Sequence, residues 1–136
     1  MPRFALVLAL CAFGLSTVRA EDSPLVATIK KTVKDPTKPF GLHVTATVKK
    51  DKAEAFEAAF AEAIAATRKE KGCLTYELHR DAENPETFVL WERWSSLEAL
   101  EAHMKTDHIA KLFKSIGETL DGEIKAKVML VAGEKK

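Results

Sequence analysis

The sequence predicts an α+β domain with the element order β-α-β-β-α-β. Three observations carry that prediction. Four segments read as strands, two of them alternating with the period of two that marks a half-buried strand. Two intervening segments repeat apolar residues at the three- and four-residue spacing of a helix face. The two central strand-like runs are separated by Asp81-Ala82-Glu83-Asn84-Pro85-Glu86, a stretch of turn composition, so they read as one antiparallel hairpin.

The elements follow in order. Phe4 to Leu15 is apolar throughout, preceded by Arg3 and followed by Val18-Arg19-Ala20. That is the layout of a secretory signal peptide with a cut after Ala20. The run is well short of the roughly 20 residues a spanning helix needs, so we expect export with no lasting membrane anchor. The alternatives are an uncleaved anchor or a buried N-terminal helix. A lipoprotein signal would use Cys11, and Leu10 fits poorly before it. Cleavage would leave a net charge of −1 and Cys73 as the single thiol. Residues 21–39 contain an extended-looking stretch, Leu25 to Ile29, bracketed by Pro24, Pro36 and Pro39. It reads as an extra edge strand or a loose leader.

The main domain is expected over residues 40–132, with a polar tail at 133–136. Leu42, Val44, Ala46 and Val48 alternate with His43, Thr45 and Thr47 as the first strand. Asp51 is expected to open the next helix, with Glu54 as its capping-box partner. Ala53, Phe56, Ala59, Phe60, Ala63, Ile64 and Thr67 share one face of that helix, and Gly72 is placed to stop it. Cys73 to Arg80 and Thr87 to Trp94 form the hairpin. Placing Arg80 opposite Thr87 puts Cys73, Thr75, Glu77 and His79 on the same side as Phe88, Leu90, Glu92 and Trp94; a slip of one residue would exchange these partners. Ser95 or Ser96 caps the second helix, whose stripe is Leu97, Leu100 and Met104. Thr106-Asp107 interrupts it before Ile109, Leu112, Phe113 and Ile116. Ile124, Ala126, Val128 and Leu130 alternate with lysines and Met129 as the last strand. The order is that of a ferredoxin-like fold.

Composition sets limits. The chain has 136 residues, 46% hydrophobic and 30% charged, enough for one domain with its own core. Lys and Arg total 21 against 20 Asp and Glu, so nothing suggests a nucleic-acid surface. Both sides of the predicted hairpin carry large apolar side chains, while helices cover only one side of a four-stranded sheet. A second copy packed sheet to sheet would cover the other, so a homodimer is expected. The alternative cover is a flap from Leu25 to Val33 of the same chain.

The sequence has no Gly-rich phosphate loop, nucleophile elbow or zinc pattern. His103 and His108 are five residues apart, which would separate them on one continuous helix, so neither metal nor cofactor is expected. Cys73 lacks an evident base and reads as a small buried hydrophobe. The remaining chemistry lies in Tyr76, His79, Glu92, Trp94, His103 and His108. Aromatic walls can stack on a flat ring, and a neutral His can take a phenolic proton near neutral pH. A carboxylate in mid-strand, Glu92, would need a buried partner. The plainer readings are core packing for Trp94, an exposed pair with Asp107 for His103 and a helix-start hydrogen bond for His108.

Residues 41–131 resemble the antibiotic biosynthesis monooxygenase family. The resemblance rests on Phe56 and Phe60, the run Thr67 to Leu78, Phe88-Val89-Leu90-Trp91-Glu92-Arg93-Trp94, Ala99-Leu100-Glu101-Ala102-His103 and Thr106-Asp107-His108. It implies a dimeric α+β barrel of ferredoxin-like subunits. It also implies cofactor-free oxidation of a small electron-rich aromatic, a quinol or phenol, by dioxygen. In that chemistry His103, then His108, would be the base, Glu92 would hold the base or the substrate hydroxyl, and Trp94, Tyr76 and His79 would contact substrate. Other members of the family bind or degrade haem, and a binding or stress module without catalysis is the third reading.

Overall fold

The computed structural model describes residue 19 and residues 22–133. Apart from Arg19, the expected signal peptide lies outside the described residues, as do residues 134–136. Among the described residues no helix is long and apolar enough to cross a membrane.

The elements are α1 (Pro24–Thr32), β1 (Phe40–Thr47), α2 (Ala53–Thr67), β2 (Cys73–Arg80), β3 (Thr87–Trp94), α3 (Leu97–Met104), α4 (Asp107–Ile116) and β4 (Lys125–Leu130). The strands form one antiparallel sheet in the order β2-β3-β1-β4. Residues 40–130 thus have the predicted ferredoxin-like α+β arrangement, with the second helix divided into α3 and α4.

The first element departs from expectation. Residues 24–32 are a helix, neither an edge strand nor a loose leader. Ser23 caps it by accepting a hydrogen bond from the Val26 amide, Pro24 occupies the first turn, and Lys30 and Lys31 complement the C-terminal end of the dipole. Val26, Ile29 and Val33 fall at helical spacing and are buried. The start signal, Ser-Pro, was present in the sequence, but the β-branched residues after it favoured an extended reading. The helix packs over β4 on the helix-covered side of the sheet, so it does not shield the opposite face.

In α2 the predicted buried face holds: Ala53, Phe56, Phe60, Ala63 and Thr67 are all buried. Its start differs. Asp51 has φ of 67°, Lys52 is the N-cap, and no side chain caps the helix, so the expected capping box is not formed. Phe56 packs against Phe60 and Phe88 with ring centroids 4.9 and 4.7 Å apart, joining helix to sheet. Gly72 turns the chain from α2 into β2 with φ of 89°. A Cβ there would also lie 2.5 Å from the Ala99 Cβ and 2.7 Å from the Ser95 hydroxyl. Glycine is required both by its backbone and by the close approach of α3.

The hairpin is shifted by one residue from the expected register. Arg80 faces Phe88, Leu78 faces Leu90 and Tyr76 faces Glu92. A bulge between Cys73 and Thr75 restores Cys73 opposite Trp94. Tyr76 and Leu78 therefore join Phe88, Leu90, Glu92 and Trp94 beneath the helices, whereas Thr75, Glu77 and His79 turn to the outer face. That outer face also carries Val89, Trp91 and Met129, with Trp91 lying over Gly41. A Cβ on Gly41 would come within 2.5 Å of the Trp91 ring. The outer face is consequently less apolar than the sequence suggested, because Leu78 has moved to the core.

Candidate functional site

The site sits where the bulged start of β2, the end of β3 and the α3–α4 junction meet. Thr106 divides the second helix. Its extended backbone makes it the N-cap of α4, and its hydroxyl donates to the His103 carbonyl at 2.7 Å. This break places His103 in the last turn of α3 and His108 in the first turn of α4, aimed at a common point.

That point is the carboxylate of Glu70, in the turn after α2. His103 Nδ1 lies 3.0 and 3.1 Å from its two oxygens. His108 Nε2 lies 2.5 Å from Oε1 and 3.2 Å from the Thr106 hydroxyl. The expectation that five-residue spacing separates the two histidines is corrected here: it assumed a continuous helix. The alternative His103–Asp107 pair is also replaced, since the histidine bonds to Glu70 from 33 residues away in sequence.

His103 is 2% exposed and forms part of the wall of an internal cavity of about 70 Å³ between the sheet and the helices. A carboxylate at Nδ1 selects the tautomer with the proton on that nitrogen, so the neutral ring carries its lone pair on Nε2. Burial pulls the His103 pKa below its ordinary value, outweighing the hydrogen bond and charge of Glu70, which favour the protonated ring. The result is a neutral imidazole held in one orientation.

Around it stand the other predicted residues. The Trp94 ring is fully buried, 4.6 Å from His103 between centroids, and Tyr76 packs edge-on at 5.5 Å. Trp94 Nε1 donates to Glu92 Oε2 at 2.8 Å. The buried partner that Glu92 requires is therefore this tryptophan. Burial raises the Glu92 pKa to about 7, against the opposing effect of the Trp94 bond and helped by the negative charge of Glu70. Burial, followed by the charges of Glu92 and Glu70, raises the Tyr76 phenol well above its ordinary value, so its hydroxyl stays protonated while its ring lines the cavity. Burial likewise raises the Cys73 thiol, consistent with an unreactive small side chain.

His79 does not belong to this group. The register shift puts it on the outer face, largely exposed and 3.2 Å from Glu77. The residue the sequence reading missed is Glu70. It lay inside the run Thr67 to Leu78, but only its meeting with two distant histidines gives it a role.

A sequence model described as antibiotic biosynthesis monooxygenase matches residues 39–115, more than half of the chain. The chain belongs to the antibiotic biosynthesis monooxygenase family. Every residue of the cluster, from Glu70 to His108, lies inside the matched segment, whereas α1 precedes it. Among solved structures, a putative antibiotic biosynthesis monooxygenase from Nitrosomonas europaea has a TM-score of 0.68 at 23% identity. That alignment covers 74% of this chain and 96% of the other. The Pseudomonas aeruginosa protein PA3566 is 31% identical with a TM-score of 0.65, covering 71% of this chain and 98% of that one. The protein Sll1783 of Synechocystis is 28% identical over 85 residues, 62% of this chain and 58% of its own length. The structural relatives are thus matched almost end to end by the ferredoxin-like part of this family member.

Proposed function

We propose that the protein is an exported, homodimeric, cofactor-independent monooxygenase that oxidises a small electron-rich aromatic, a quinol or phenol, with dioxygen. The observation that carries this reading is the neutral His103, fixed by Glu70 at Nδ1 and set in the wall of an apolar cavity beside Tyr76 and Trp94. His103 Nε2 accepts the proton of a ring hydroxyl. The resulting anion is a far better electron donor than the neutral ring. One oxygen atom of dioxygen joins the ring and the other leaves as water, with the substrate supplying the electrons. The protonated form of Glu92 donates a hydrogen bond to a substrate oxygen, a role suited to a carboxyl whose pKa is about 7. The apolar lining limits water around the reactive anion.

Export is supported by the N-terminal sequence, and self-association by Val89, Trp91 and Met129 on the outer sheet face together with exposed Leu74 at the bulge. The test of the chemistry is oxygen uptake by the purified protein with a panel of quinols and polyhydroxylated aromatics, in the presence of chelator and without added flavin. Protein-dependent uptake that falls in His103→Ala supports the reading. A folded protein inert toward the whole panel would point to a binding module instead, with haem titration as the next measurement.

A further inference from the structure

The convergence of Glu70, His103 and His108 has a second chemical meaning, independent of aromatic oxidation. Each offers one ligand atom, and the three lie within 4.8 Å of one another. Two imidazole nitrogens with one carboxylate oxygen is a donor set for zinc and its borderline transition-metal neighbours, rather than for calcium or magnesium. Metal–ligand bonds of about 2.0–2.2 Å in a tetrahedral arrangement put neighbouring donors about 3.3 Å apart. The present contacts of Glu70, at 3.0 and 3.1 Å to His103 and 2.5 Å to His108, need only small side-chain movements to open to that spacing. The site is reachable: the Glu70 and His108 side chains are 15% and 20% exposed, while His103 forms the buried wall. The Thr106 hydroxyl, 3.2 Å from His108 Nε2, puts a further polar group next to one of the ligand atoms.

We propose that Glu70, His103 Nδ1 and His108 Nε2 form a binding site for a divalent transition-metal ion of the zinc class. The ion would replace the two imidazole protons that now point at the carboxylate. A metal on Nδ1 leaves the remaining ring proton of His103 on Nε2, the nitrogen that the proposed oxidation needs as an acceptor. Metal binding and proton abstraction therefore exclude each other at this histidine. Measuring oxygen uptake with chelator and metal affinity without substrate keeps the failure of one idea separate from the failure of the other.

The test is calorimetric titration of the chelator-treated protein with zinc chloride, with cobalt chloride as a coloured probe of the ligand field. The expected result is one ion per chain and visible cobalt absorption of a low-coordinate nitrogen and oxygen site. Glu70→Gln and His108→Ala should each weaken binding by more than about tenfold. His79→Ala, which alters only an exposed outer-face histidine, should leave it unchanged. Two variants guard against misfolding of either, checked by circular dichroism. No uptake of zinc or cobalt overturns the proposal, and so does binding that survives both variants or depends on His79.

Discussion

At one end of the cavity, Glu70 holds His103 and Trp94 holds Glu92 through directed hydrogen bonds of 2.8–3.1 Å. At another, α1 contributes Leu25, Val26 and Ile29 to the wall, and an exposed Lys30–Glu101 ion pair of 2.7 Å ties it to α3. The polar end lies wholly within the family match, and α1 lies before it. In the proposed oxidation, the difference separates chemistry from access. Proton transfer suffers from a misplacement of about 1 Å, whereas an apolar wall depends on volume and tolerates rearrangement. The cavity of about 70 Å³ is also small for a ring, being less than half the roughly 150 Å³ of an apolar cavity that holds benzene. A wall must yield to admit one, and α1 is held chiefly by apolar contact and a solvent-exposed pair.

The comparison breaks most sharply at His103. His103→Ala should lower oxygen uptake by about 10²–10⁴-fold, the usual worth of a positioned general base. An equally large loss from α1 substitutions would contradict the division of labour drawn here.

Next comes Glu92. Its folded-state pKa of about 7 lies above the ordinary carboxyl value of 4.5, so folding favours the protonated form. That contribution is complete below about pH 4.5 and is lost as pH rises toward 7 and beyond. It amounts to something on the order of 3 kcal/mol across that window. His103 works in the opposite sense: its lowered pKa adds stability above its ordinary value that fades as pH falls. Comparing Glu92→Gln with the parent by urea unfolding isolates the first effect. The variant should gain on the parent as pH increases from 4.5 to 8. Parallel stability curves would mean that Glu92 ionises without cost.

Smaller effects are expected at α1. Ile29 is 3% exposed, and Ile29→Ala should cost about 2 kcal/mol, the lower end for a buried isoleucine, because a peripheral helix can settle into the gap. The same variant should change KM several-fold while kcat moves little, which steady-state kinetics would read. Lys30→Ala should alter stability by less than about 1 kcal/mol, because the pair is solvent-exposed. A larger thermal shift would show that the ion pair, rather than apolar contact, holds the helix down.

Much of the architecture was legible along the chain. The spacing of Phe56, Phe60 and Ala63 marked the buried face of α2, and the Ser95-Ser96 pair marked the start of α3, where Ser96 is the cap. Alternation located β1 and β4. Tyr76, Glu92, Trp94, His103 and His108 were each recognisable as candidates, because their residue types suit the chemistry and they cluster in two short stretches. His79 was misjudged for a physical reason: one bulged residue near Cys73 reverses the side to which each later β2 residue points, and alternation alone cannot reveal a bulge.

The sequence by itself determined the order of elements from β1 to β4, the buried face of α2 and the family, because these depend on local periodicity and short motifs. Only the tertiary structure decided which charged groups meet. Glu70 reaches His103 and His108 across 33 and 38 residues because Gly72 lets α3 approach the end of α2 and Thr106 breaks the helix between the histidines. Likewise, the docking of α1 onto the cavity was invisible in its own sequence. A buried face requires a partner surface, and that surface exists only once β4 and α3 have come together.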